Sequence, residues 1–178
     1  MKRRAGAPAA PADPDSPDAA YAAAIKKLAR QPQSRATLGQ KLERYGYTAV
    51  AVSAALDRVQ ADGYLDDREY AASLVRRRSR SRGYGLIAQE LRARGIEEGD
   101  AAPALDSVDR EAQGEQALRL ARTMLDQRPP ADAQELRARI GPRLSRRGFD
   151  SGLIYRLCRQ LAEEWQAGGR FDSPRERD

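Results

Sequence analysis

The 178-residue sequence contains no histidine and only one cysteine, Cys158. Histidine is the commonest general base and metal ligand in proteins, and a lone cysteine can form neither an internal disulfide nor a Cys–His nucleophilic pair. No glycine-rich phosphate loop follows a predicted strand, and no pair of carboxylates has the spacing of a catalytic site. The sequence therefore indicates a protein that is not an enzyme and that uses no cofactor or metal ion.

Long apolar runs are also missing from the sequence, so we expect no membrane-spanning segment. The start Met-Lys-Arg-Arg is not followed by the apolar stretch of a signal peptide. A single cysteine suits a reducing compartment. These features predict a cytoplasmic protein without membrane association.

Aromatic residues make up only 6% of the chain, whereas charged residues make up 33%. The apolar core must therefore be built mostly from Ala, Leu and Val, and no long run of alternating β-branched residues favours a sheet. This composition predicts an all-α fold. The net charge of +6 indicates an anionic partner, either nucleic acid or an acidic protein surface.

The most informative stretch covers residues 61–96. Gly63 allows a chain reversal, and Asp66 with Glu69 three residues later has the pattern of a capping box at the start of a helix. Arginines crowd the end of that helix, where the helix dipole favours positive charge. A Gly-Tyr-Gly break at 83–85 separates it from a second helix that Gly95 is expected to end.

The second helix of this stretch has related copies upstream and downstream. Gly46, Gly95 and Gly148 are spaced by 49 and 53 residues, and each is expected to end a helix. Apolar residues recur at fixed distances from these glycines, among them Leu42, Leu91 and Leu144 four residues before them and Tyr47, Ile96 and Phe149 directly after them. A helical repeat of this period predicts an array in which neighbouring units bury each other's apolar faces.

We therefore predict a tandem array of three three-helix repeats, which form an elongated, curved, solenoid-like body. The repeats cover residues 18–65, 66–111 and 112–167, between a disordered Pro/Ala-rich arm at 1–17 and a flexible tail at 168–178. In the third repeat, Gly141-Pro142 falls inside the second helix, where we expect a bend or a fresh start.

Two segments of the central stretch resemble the hallmarks of a known family. The run Gly63-Tyr64-Leu65-Asp66-Asp67-Arg68-Glu69-Tyr70-Ala71, followed by Gly83, Ile87, Glu90-Leu91 and Gly95-Ile96, closely resembles the two hallmark segments of the bacterial RecX family. That family is also built from three tandem three-helix units that cover most of the chain.

The resemblance implies a modulator, usually an inhibitor, of the RecA recombinase. Such a protein is expected to bind the RecA filament on single-stranded DNA, in the helical groove of the filament, and to limit filament extension, ATPase, strand exchange and co-protease activity. We expect a monomer that contacts single-stranded DNA directly or through RecA and that binds duplex DNA weakly at most. The alternative belongs to another functional class, in which the chain is an autonomous helical DNA-binding protein whose units read duplex DNA.

Arginine clusters are the candidate binding surface. Residues 76–94 hold seven arginines and one acid, Glu90. A helix dipole explains two or three of these arginines, but like charges at i, i+4 cost helix stability. For a second arginine cluster, in the third repeat, a solvated surface and a binding surface explain the sequence equally well. The predicted contact residues are Arg76, Arg77, Arg78, Arg80, Arg82, Arg92, Arg94, Arg143, Arg146 and Arg147.

The hallmark residues themselves are predicted to be structural, since the carboxylates can cap helices, the apolar residues can pack and the glycines can turn the chain. Asp66 and Asp67 do not have the arrangement of a metal site, because successive side chains on a helix point about 100° apart. The residues assigned to this structural motif are Gly63, Leu65, Asp66, Asp67, Tyr70, Ile87, Leu91, Gly95 and Ile96.

Overall fold

The computed structural model describes residues 10–168, which form nine helices and no strand. This confirms the predicted all-α fold class. The helices are α1 (Pro17–Leu28), α2 (Arg35–Tyr45), α3 (Ala49–Ala61), α4 (Asp67–Arg78), α5 (Tyr84–Ala93), α6 (Glu98–Asp106), α7 (Arg110–Gln127), α8 (Ala133–Arg146) and α9 (Ser151–Ala167).

Local capping rules set most of the helix boundaries. Ser34 and Thr48 are the N-caps of α2 and α3, since their hydroxyl oxygens accept bonds from the backbone N–H groups of Thr37 and Ala51. The Asp66 carboxylate accepts a bond of 2.9 Å from the Glu69 N–H at the start of α4. At the opposite ends of α2 and α8, Gly46 and Gly148 have φ angles of 117° and 82°, in the left-handed region that favours glycine.

The chain divides into two compact units, and the boundaries of the three predicted repeats stay a prediction. One unit contains the residues up to Ser73 together with Leu91–Ala101, and the other contains Leu74–Glu90 together with the residues from Ala102 onward. Helices α4 and α5 therefore each contribute residues to both units. The elongated, curved body stays a prediction.

The core of unit 1 lies among α1, α2 and α3. Small alanines on α1 allow this helix to approach α3 closely, and leucines and valines from α2 and α3 fill the space between the helices. Ahead of α1, the Pro14 carbonyl accepts a bond of 3.0 Å from the Thr48 N–H. Residues 1–9 of the predicted arm lie outside the described residues, as does the predicted tail beyond residue 168.

The core of unit 2 is centred on α7, α8 and α9. Leu136, Ile140 and Leu144 of α8 are fully buried, and Cys158 belongs to the same buried cluster. The expected fresh start at Gly141-Pro142 is wrong, because α8 continues through both residues, and the expected bend stays a prediction. Burial of the apolar stripe on both sides of Pro142 offsets the missing N–H of proline, a tertiary effect that local sequence rules do not include.

Candidate interaction surfaces

In unit 1, the turn that follows α5 packs against the start of α2. The Ser34 hydroxyl donates a bond of 2.6 Å to the Arg94 carbonyl, and the Arg35 N–H donates one of 2.8 Å to the Asp67 carboxylate. Gly95 lies so close to α2 that an added Cβ would be 2.4 Å from the Ala36 Cβ. Asp67 thus satisfies the Arg35 N–H at the start of α2, which has no partner within the helix, and the Arg94 carbonyl satisfies the Ser34 hydroxyl.

The same arrangement recurs in unit 2, where the turn between α8 and α9 packs against the start of α5. The Gly83 N–H donates to the Arg147 carbonyl at 2.7 Å, and the Gly85 N–H donates to the Gly148 carbonyl at 3.0 Å. The side-chain oxygen of Gln113 accepts from the Tyr84 N–H at 3.0 Å. The Gly-Tyr-Gly break is therefore a docking point for another part of the chain, which its sequence position alone did not indicate.

Asp67 is a half-buried carboxylate in the first of these contacts. Burial raises its pKa, although the Arg35 N–H bond opposes that shift. A raised folded-state pKa means that this group stabilises the fold at acidic pH and that this stabilisation is lost as pH rises through the folded value. At neutral pH the buried charge is thus a cost, whereas the bond to Arg35 is a gain.

We expect Asp67→Asn to be as stable as the parent chain or slightly more stable at neutral pH, because the amide oxygen still accepts from Arg35 without a buried charge. Asp67→Ala should lose about 1 kcal/mol, as when a helix cap is removed. Urea unfolding at neutral and acidic pH measures both variants. Equal losses in Asn and Ala would contradict the role of Asp67 as an acceptor.

Two arginines of the predicted cluster are engaged inside unit 2. Arg78 makes two bonds of 2.9 Å to the Glu90 carboxylate, and Arg82 makes one of 2.7 Å. The Glu90 side chain is 13% exposed, while those of Arg78 and Arg82 are 38% and 34% exposed. This ion-pair cluster accounts for two of the arginines that helix rules left unexplained, and Arg82 lies beyond the end of α4.

The arginines near the end of α5 differ in environment. Arg94 donates a bond of 2.6 Å to the Tyr70 hydroxyl in unit 1, which gives it a role in holding α4. Arg92 is exposed in the last turn of α5. On the other helix, Arg76 and Arg77 are exposed in the last turn of α4. Arg78, Arg82 and Arg94 are therefore each held in place by an intramolecular bond.

Unit 2 brings part of the two predicted arginine clusters together. The Arg147 guanidinium donates to the Ser81 carbonyl at 3.5 Å, so the end of α8 lies beside the segment that follows α4. Arg143, Arg146 and Arg147 line one shallow hollow with Met124 and Gln127. A second hollow of the same unit is lined by Arg76, Arg80 and Arg119. We call the six arginines of these two hollows the basic face.

A groove in unit 1 collects several hallmark residues that the sequence had indicated only as structural. Its walls include Gly63, Leu65, Asp66, Asp67 and Gly95. Three more carboxylates line it, those of Glu43, Glu97 and Asp100. We call this feature the acidic groove. Spacing along the sequence does not indicate this groove, because its acids are spread over α2, the start of α4 and the start of α6.

Residues 10–168 contain no group of three or more histidine, cysteine, aspartate or glutamate side chains placed to hold a metal ion. Over the same residues, no helix is both long enough and apolar enough to cross a bilayer.

Comparison with protein families gives two adjacent matches. Residues 20–58 match the first three-helix domain of RecX, and residues 66–105 match the second three-helix domain of RecX. The first of these spans most of α1, α2 and α3, and the second spans α4, α5 and most of α6. The matched domains therefore correspond to successive groups of three helices.

Curated relatives and solved structures agree with these matches. The chain is 38% identical to the regulatory protein RecX of Leptothrix cholodnii, over 79% of this chain and 88% of the relative. It is 40% identical to the regulatory protein RecX of Acidithiobacillus ferrooxidans, over 75% and 84%. A crystal structure of RecX from Lactobacillus salivarius shares the fold, with a TM-score of 0.74 at 22% identity over 82% of this chain and 96% of that one. A crystal structure of a regulatory protein RecX gives a TM-score of 0.73 at 25% identity, over 83% and 73%. The chain belongs to the RecX family.

Proposed function

We propose that this protein is a non-enzymatic regulator of the RecA recombinase that binds the RecA filament on single-stranded DNA and inhibits it. Membership of a family of regulatory proteins supports the regulatory role. The basic face of unit 2 supports an anionic target, because its six arginines lie in two hollows of one compact unit. Surfaces of one charge sign attract oppositely charged partners and raise association rates.

The contact between Arg147 and the Ser81 carbonyl is the observation on which this proposal mainly rests. It places Arg147 beside the segment that carries Arg80 and Arg82, and arginines that lie close together can neutralise several phosphates or carboxylates of one partner. Phosphates of the bound strand and acidic side chains of the filament are both suitable targets. Limiting filament extension, ATPase, strand exchange and co-protease activity would follow from occupancy of the filament groove.

Inhibition of the DNA-dependent ATPase of RecA tests this function. The native chain should inhibit, and the triple variant Arg80→Ala, Arg143→Ala and Arg146→Ala should need at least about tenfold more protein for half-inhibition, since each lost contact to an anion weakens binding. These three side chains are exposed, so the helical circular dichroism should not change.

A charge-matched control is Arg30→Ala, Arg44→Ala and Arg110→Ala, which removes the same charge from exposed positions outside the basic face. It should inhibit nearly as well as the native chain. If both triple variants lose inhibition equally, net charge and not the basic face is responsible. Failure of the native chain to inhibit, together with tight sequence-specific binding to duplex DNA without RecA, would favour the autonomous DNA-binding alternative instead.

A further inference from the structure

The acidic groove of unit 1 differs in charge from the rest of this basic chain. Five carboxylates and two guanidinium groups line it, an excess of three negative charges. The chain as a whole carries +6. Its inner wall includes the buried apolar side chains of Val52, Leu56 and Leu65, and its volume is about 990 Å³. The groove thus combines an apolar wall, a wide opening and a negative rim.

Both cations of the rim already have acidic partners within unit 1. Arg35 pairs with Asp57 at 2.5 Å, and Arg68 pairs with Asp100 at 3.7 Å. Arg35 also acts electrostatically on Asp67, and within the described residues neither cation forms an ion pair with Glu43 or Glu97. The excess negative charge of the rim therefore comes from the other acids, which are Asp66, Asp67, Glu43 and Glu97.

Asp66 and Asp67 each use one oxygen as an acceptor for a helix N–H, from Glu69 and Arg35 respectively. Glu43 and Glu97 are exposed, and within residues 10–168 their carboxylates form no hydrogen bond or ion pair. These two glutamates are thus available to an external cation without the loss of an internal contact.

The chemistry of the groove selects among possible occupants. A nucleic acid is excluded because its phosphates would face an excess of carboxylates. A single metal ion is excluded because the described residues hold no set of three acidic ligands placed for one. A peptide segment with lysine or arginine side chains satisfies the rim, and its aliphatic stems suit the apolar wall.

We propose that the acidic groove binds a lysine- or arginine-bearing segment of a partner protein. The inference deepens the proposed function and rests on it, since the segment is assigned to a protomer of the RecA filament. Unit 1 would then contact protein through negative charge, while the basic face of unit 2 contacts an anionic part of the same filament. Two surfaces of opposite sign would give the complex more specificity than one basic surface, because wrong partners meet like charges.

Charge reversal in the groove tests this inference. Glu43→Lys with Glu97→Lys should raise the dissociation constant for RecA filaments on single-stranded DNA at least about tenfold, because attraction becomes repulsion at two positions. The control Glu98→Lys with Asp106→Lys makes the same change in net charge at exposed positions outside the groove. It should bind filaments at least as tightly as the native chain.

Binding of the same variants to bare single-stranded DNA separates the outcomes. The groove variant should bind DNA as well as the native chain or better, since it has gained positive charge. If it binds filaments as tightly as the native chain, the groove does not bind the partner, although the proposed function stands. If it loses affinity for bare DNA as well, the groove inference is overturned because the change acts through the fold or through DNA. If the native chain does not bind filaments, the proposed function fails.

Discussion

The Gly83→Ala variant should lose at least about 3 kcal/mol of unfolding free energy. A Cβ at this position would lie 2.4 Å from the carbonyl carbon and oxygen of Gly148 and from the nitrogen of Phe149. All three are backbone atoms, so no side chain can rotate to make room. The turn between α8 and α9 would have to move away, which breaks the Gly83 bond to the Arg147 carbonyl and adds the cost of overpacking.

Variants at two other glycines distinguish crowding from backbone strain as the cause of the lost stability. Gly99 has open space around its Cα, so Gly99→Ala should be neutral or stabilising by up to about 1 kcal/mol in α6. Gly63 is equally uncrowded but has a φ of 75°, so Gly63→Ala should cost about 1 kcal/mol from strain alone. Urea unfolding followed by circular dichroism gives all three values, and a Gly83→Ala loss no larger than that of Gly63→Ala would contradict the close packing.

The parts of the fold that obey local rules could be predicted from the sequence. Ser34 and Thr48 cap helices because a hydroxyl can reach an N–H three residues later, whatever the rest of the chain does. Gly46 and Gly148 end helices because only glycine adopts a positive φ at little cost. Apolar residues at fixed distances from these glycines likewise belong to the buried faces of their own helices.

Contacts between distant segments could not be predicted. The Gly-Tyr-Gly break has no local partner, and its role appears only when the turn at Gly148 lies against it. In the same way, Pro142 breaks a local rule, yet α8 continues because packing on α7 and α9 outweighs one missing hydrogen bond. Such outcomes depend on which surfaces meet, and sequence spacing contains little information about that.

The candidate binding surface likewise has features that could be predicted from the sequence and features that could not. The local excess of arginine in the sequence indicates the arginine clusters, but it does not show that Glu90 differs from any other acid. In the structure this acid is the partly buried centre of an ion-pair cluster, and removing a charge from water changes its energy strongly unless it is paired. The acidic groove was missed for a related reason, since its carboxylates are separated in sequence and are brought together only in the fold.

The Glu90→Ala variant should lose about 2 kcal/mol of unfolding free energy. Its carboxylate holds Arg78 through two bonds and Arg82 through a third, and charge-assisted bonds of this kind are among the stronger ones in proteins. Removing one partner of a buried ion pair costs about 3–5 kcal/mol. The partial exposure of the two arginines reduces that figure, because water replaces part of the lost interaction.

A double-mutant cycle with Arg82→Ala measures the interaction itself. If Glu90 acts through this ion pair, Arg82→Ala should cost less in the Glu90→Ala background than in the native chain, with a coupling of about 1 kcal/mol. Glu98→Ala, which removes an exposed acid from the first turn of α6, is the control and should cost no more than about 0.5 kcal/mol. A coupling near zero would mean that Glu90 stabilises the chain without Arg82. A coupling of the expected size would show that Arg82 acts within the fold, so that a partner bound to Arg82 would have to break an internal contact.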